Sequence, residues 1–216
     1  MSGGREPSTG GRAGAGRLPE PGRLREDLAA LASLLAYPGE EQAAVARELG
    51  SRAGRLRERL EPFLAWVEAT PLARRQERYV ADFDFRAETT LHLTYHRFGD
   101  RRVRGTALVA LKQVYASAGY AVPEGELPDH LPLLLEFAAR EPALGLALLE
   151  RLRAPVRLVG ERLREAGSPY AAAVEAVLDL LPPAPPEAEA EIEALRAGPP
   201  AVETVGLDAP EGRRAW

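Results

Sequence analysis

Between residues 23 and 181 the apolar residues recur three and four apart, and no sustained run alternates with period two. That spacing lines one face of an α-helix and cannot line one face of a strand. Leu24, Leu28, Leu31, Leu34 and Leu35 share a face of a first helix expected over residues 23–36. Tyr37-Pro38-Gly39 ends it, because proline and glycine both oppose continuation. The same reading predicts a second helix over 40–49 and a third from Ser51 as N-cap to Val67. Pro62 is expected to break that third helix or to open a new one, and a fourth spans 72–83.

After residue 83 the rhythm changes. Asp82-Phe83-Asp84-Phe85 interleaves acids with aromatics, which suits a loop or cap better than a helix interior. A short helix over 88–98 is predicted, ended by Gly99. Asp100 then caps a long helix to Gly119, whose inner face is Val103, Ala107, Leu111, Val114 and Ala118. A loop follows over 120–127, and Asp129 is expected to cap a helix over 130–140 with Pro132 in its first turn. Two further helices are predicted over 142–166, kinked or split at Pro155, and over 169–181. The expected fold is all-α: a single compact helical bundle over 23–181, flanked by disordered tails at 1–22 and 182–216. The second tail is rich in proline, alanine and glutamate, with a short helix conceivable near Ala188–Ala197.

Composition excludes several functions. Cysteine is absent, so disulfides, thiolate metal sites and cysteine nucleophiles are all ruled out. The net charge is −4, the wrong sign for general nucleic-acid binding. No apolar run is long enough to span a membrane, and residues 1–22 have no apolar stretch of a secretory signal, so a cytoplasmic protein is expected.

Few constellations point to catalysis. On a continuous helix Glu88, His92 and His96 would share one face and could ligate zinc, but they could equally form a polar helix face. Asp129 and His130 read either as an acid–base pair or as a cap and its neighbour. Asp82 and Asp84 could form a carboxylate pair, but Phe83 and Phe85 suggest a loop anchored by its rings. Arg101, Arg102 and Arg104 could hold an anion, though no phosphate loop or serine elbow is present. What remains is a block of aromatics, arginines and glycine/proline punctuation between Tyr79 and Phe137, which favours a binding surface over an enzyme.

That block closely resembles the nitrate reductase molybdenum cofactor assembly chaperones, the NarJ or delta-subunit family. The matching elements are FDF at 83–85, LTY at 93–95, GD at 99–100, RG at 104–105, ALVALK at 107–112, ELPDHLP at 126–132 and LEF at 135–137, preceded by LLAYP at 34–38. The resemblance covers residues 24–181. It implies an all-helical, non-enzymatic cytoplasmic chaperone without a cofactor of its own, acting as monomer or homodimer. Its partner would be the apo catalytic (alpha) subunit of respiratory nitrate reductase, bound by its N-terminal segment and kept competent for molybdenum cofactor insertion before membrane docking. A chaperone for another molybdoenzyme with a twin-arginine leader is the sibling reading. A helical metalloenzyme using Glu88, His92 and His96 is the distant one. If an amphipathic segment of the partner enters a helix-lined groove, the expected anchors are Tyr79, Phe85, Tyr95 and Phe98. Asp84, Asp100, Asp129 and Glu136 would meet basic residues, with Arg104 and His130 beside them. Gly105 is expected to let two helices approach closely.

Overall fold

The computed structural model describes residues 20–197. Eleven α-helices form among them: α1 Pro21–Leu35, α2 Glu40–Gly50, α3 Arg55–Ala69, α4 Leu72–Tyr79, α5 Leu93–Phe98, α6 Arg102–Ser117, α7 Leu131–Arg140, α8 Pro142–Arg151, α9 Arg153–Glu165, α10 Ala171–Asp179 and α11 Pro186–Arg196. No named strand occurs among the described residues, so the fold is all-α as the periodicity requires. The outer parts of the two predicted tails, 1–19 and 198–216, lie outside the described residues.

The apolar pattern explains the layering. In α7 the run Leu131–Leu135 is buried, Ala139 is half-buried, and Glu136 and Arg140 are exposed. A helix whose first five residues are all apolar belongs against the core, and α7 packs along α1, whose Leu28, Leu31, Leu34 and Leu35 are fully buried. α10 and α3 close one side of this pair, and α9 packs on α10. Phe63 of α3 and Phe83 each stand 5.1 Å from the ring of Tyr170, joining the α3 and α4 regions to the start of α10. Gly145 sets the crossing of α8 on α7: a methyl group there would overlap the backbone of Ala138. Gly105, expected to play that part, meets nothing within 4 Å.

Several local expectations are corrected. Ser51 follows α2 as its C-cap, and α3 starts after Gly54, whose φ of +130° requires glycine. α3 runs through Pro62, on its exposed side. The lost hydrogen bond there is offset by Leu60, Phe63, Leu64 and Val67 packing on both sides of it. The split between α8 and α9 falls at Leu152, with Pro155 in the first turn of α9, where no N–H is needed. Val103 of α6 is exposed, and of the expected inner face only Leu111 is buried. Packing also continues past the predicted boundary at 181. Ile192 and Leu195 of α11 bury against Ala154 and Leu158 of α9, and Arg196 Nη2 pairs with Glu161 at 2.9 Å.

Candidate functional site

After Tyr79 the α4 helix widens into a π-turn over Val80–Asp84. The turn sends neighbouring residues to opposite environments. Asp82 is buried, accepting from Arg78 Nε at 2.7 Å and Ser168 Oγ at 2.5 Å. Phe83 enters the core beside Tyr79, ring centroids 4.8 Å apart. Asp84 is exposed, and Phe85 is 82% exposed. Phe83 is therefore the anchor that the alternation suggested. Phe85 is not, and the two aspartates do not form a pair.

The next chain segment is organised by a fully buried carboxylate. The backbone near His92 and His130 forms an antiparallel bridge, with Leu93 N donating to Asp129 O and Leu131 N to Leu91 O, both at 3.0 Å. This brings Asp129 under the first turn of α5. Its Oδ2 accepts from Thr94 N at 3.1 Å, Thr94 Oγ1 at 2.5 Å and Arg104 Nη2 at 3.3 Å. Asp129 thus caps α5, not the helix that follows it, for which His130 stands at the N-cap. His92 Nδ1 lies 3.4 Å from Asp129 Oδ1 without forming a hydrogen bond. Burial opposes ionisation of Asp129, but His92, Thr94 and Arg104 outweigh it and hold its pKa down at about 2. The carboxylate is charged and internally committed, so it is not available to meet a partner.

Above this support opens a cleft of about 410 Å³. Asp84, Phe85, Tyr95, Asp100 and Arg104 line it together, joined by Arg86 and His92. The Arg104 guanidinium lies 5.6 Å from the Tyr95 ring centroid and donates through Nε to Thr94 Oγ1 at 3.2 Å, so this wall is held from behind. The carboxylates exposed here are Asp84 and Asp100. On the other side of α5 a second, mostly apolar groove lies between α6 and α8, lined by Phe98, Ala107, Leu111, Val114, Leu148 and Leu152.

Five of the ten expected partner-binding residues thus share one cleft. Phe98 sits in the adjacent groove. Tyr79 is buried, its hydroxyl donating to Leu35 O at 3.3 Å. Glu136 pairs with Arg140 on α7, and His130 pairs with Glu126, Nδ1 to Oε2 at 3.2 Å. Neither lines the cleft. Burial, then the charge of His92, pushes the His130 pKa down, against the pull of Glu126 and Asp129. Arg86 and His92 were missed as cleft residues. The position of Arg86, directly after the FDF triplet, was the available signal.

The zinc-like arrangement does not assemble. A 3₁₀ turn over Ala87–Thr89 breaks the expected helix, and α5 begins only after His92. Glu88 is exposed, with its carbonyl held by Arg162. His96 is buried with Nε2 2.9 Å from Thr90 O. Burial pushes its pKa down to about 4, so the ring is neutral and donates to that carbonyl. No group of three or more histidine or acidic side chains converges among the described residues.

Residues 23–176 match the family model described as nitrate reductase delta subunit. The chain is 36% identical to the probable nitrate reductase molybdenum cofactor assembly chaperone NarJ of Bacillus subtilis, over 70% of this chain and 86% of that protein. It is 40% identical to the nitrate reductase-like protein NarX of Mycobacterium tuberculosis over 67% of its own length, but spans only 22% of that longer relative. Among solved structures it is similar to a candidate redox enzyme maturation protein from Archaeoglobus fulgidus, with TM-score 0.54 and 22% identity over 71% of this chain and 90% of that one. That likeness supports the helical fold alone.

Proposed function

Since the chain belongs to the nitrate reductase delta subunit family, we propose that it is an assembly chaperone for nitrate reductase. In this reading it is not a catalyst. It binds the apo catalytic subunit in the cytoplasm and keeps it competent for molybdenum cofactor insertion until membrane docking. The observation that carries the reading is the 36% identity extending over 86% of the Bacillus subtilis chaperone. The absence, among the described residues, of any helix long and apolar enough to cross a membrane is compatible with it.

The bound element is the catalytic subunit's N-terminal segment, taken as an amphipathic helix. Its apolar face lies in the groove formed by Phe98, Leu111, Val114 and Leu148, and across α5 its remaining side chains meet Phe85, Asp84 and Asp100, the two aspartates taking basic residues. Phe85 supports this because a ring 82% exposed, next to a buried Phe83, contributes little to the isolated fold. Acidic side chains at the rim speed encounter with a basic segment.

Calorimetric titration of the chain with a synthetic peptide copying that N-terminus tests the reading. Saturable one-site binding is expected, weakened in Phe85→Ser and in Asp84→Asn. A twin-arginine leader peptide serves as the comparison. If the leader binds and the nitrate reductase peptide does not, the partner assignment is wrong.

A further inference from the structure

A cavity of about 440 Å³ opens where the start of α3, the start of α9 and the end of α10 meet. Its volume falls within the roughly 300–1,000 Å³ of small-molecule sites. The charges around it do not balance. Asp27 is held by Arg23, Nε to Oδ1 at 3.2 Å, with Arg52 4.0 Å away. Asp179 is held by Arg59 at 2.7 Å. Arg55 and Arg153 also line the cavity, and neither pairs with a carboxylate among the described residues.

Arg153 is the more telling of the two. It is only 7% exposed. Its Nη2 donates to the carbonyl of Pro182, another lining residue, while Nε is buried without a hydrogen-bond partner. Burial pushes the guanidinium's pKa down, opposed only by Glu150. An arginine desolvated without a counter-ion is costly, and an anion in the cavity would relieve that cost. The opening turn of α3 contributes a second anion-seeking feature. Gly54 precedes it, no side chain caps it, and Gly54, Arg55 and Leu56 lie in the cavity wall. Free N–H groups at a helix start favour an oxyanion. Leu56, Leu178, Leu181 and Pro183 supply the apolar remainder.

We propose that this cavity is a binding site for a small organic phosphate, its phosphate held between Arg153, Arg55 and the α3 N-terminus and its apolar body lying on Leu56, Leu178 and Leu181. Arginine suits the phosphate because its fork donates two parallel hydrogen bonds. The site is separate from the α5 cleft and shares no residue with it.

The test is calorimetric titration of the full chain with phenyl phosphate and, in parallel, with inorganic phosphate at matched ionic strength. Phenyl phosphate is expected to bind one site saturably and inorganic phosphate more weakly. Arg153→Met abolishes both, and Arg55→Gln weakens phenyl phosphate about tenfold. Because Arg55 is exposed, its variant keeps the test decisive if Arg153→Met does not fold. Equal affinity for the two probes would assign the site to free phosphate and overturn the organic ligand. Absence of saturable binding to the unaltered chain, or binding by both variants at unaltered strength, would overturn the site.

Discussion

Asp129 caps α5 through Thr94, 35 residues upstream, accepting both the backbone amide and the hydroxyl on one carboxylate oxygen. The same oxygen takes Arg104, which stacks near Tyr95 in the cleft wall. One buried charge therefore sets the position of α5, the start of α6 and the floor of the candidate site. Asp129→Asn is expected to destabilise the fold by about 3 kcal/mol, because it weakens a cap and leaves Arg104 without its counter-charge. Urea denaturation measures this. A loss below about 1 kcal/mol would mean that the carboxylate is not the organising group.

Acid should act in two steps. The His96 pKa is lowered by burial from 6.5 to about 4, so the fold favours the neutral ring. The stability tied to that preference is complete above the unfolded pKa of 6.5 and is lost as pH falls towards 4, roughly 3 kcal/mol in all. The Asp129 pKa is depressed to about 2, so its share is complete above the unfolded carboxylate value and is lost only between there and pH 2. His96→Gln can keep a donor for Thr90 O without a proton to gain. It should flatten the pH dependence of the unfolding free energy between pH 6.5 and 4, and an unchanged slope would exclude His96 as its source.

The two glycines of α6 and α8 should respond oppositely to alanine. Gly145→Ala drives a methyl into the backbone of Ala138 and should destabilise by about 1–3 kcal/mol. Gly105→Ala meets open space in a helix and should stabilise by about 0.5–1 kcal/mol. Thermal melts of the two variants read the difference directly. A tolerated Gly145→Ala would show that α8 can move off α7.

The aromatic residues at 79 and 85 should separate stability from binding. Tyr79→Ala removes a ring packed on Phe83 and Tyr170 and should cost about 3 kcal/mol. Phe85→Ser should leave the unfolding free energy within about 0.5 kcal/mol, as exposed substitutions do. The peptide affinity should fall in Phe85→Ser although its melt is unaltered. A Phe85→Ser chain that melts early would place that ring in the core instead.

Helix identity was legible in the sequence because it depends on neighbours three and four residues away. Leu24 to Leu35 on one face, the stop at Pro38 and the apolar run Leu131–Leu135 opening α7 needed no other information. The resemblance block likewise marked where the cleft would be, and Asp84, Phe85, Tyr95, Asp100 and Arg104 do meet there. Which side of the surface each residue occupies was decided by tertiary structure. The π-turn buries Asp82 and Phe83 and turns Phe85 outward, and one missing turn before Leu93 separates Glu88, His92 and His96. Capping is usually local, so the sequence alone assigns Asp129 to the helix that follows it. Only the bridge between His92 and His130 brings it to α5. Local periodicity specifies a helix by short-range hydrogen bonds. The partner of a buried charge is specified by burial itself, which requires that some distant donor come to meet it.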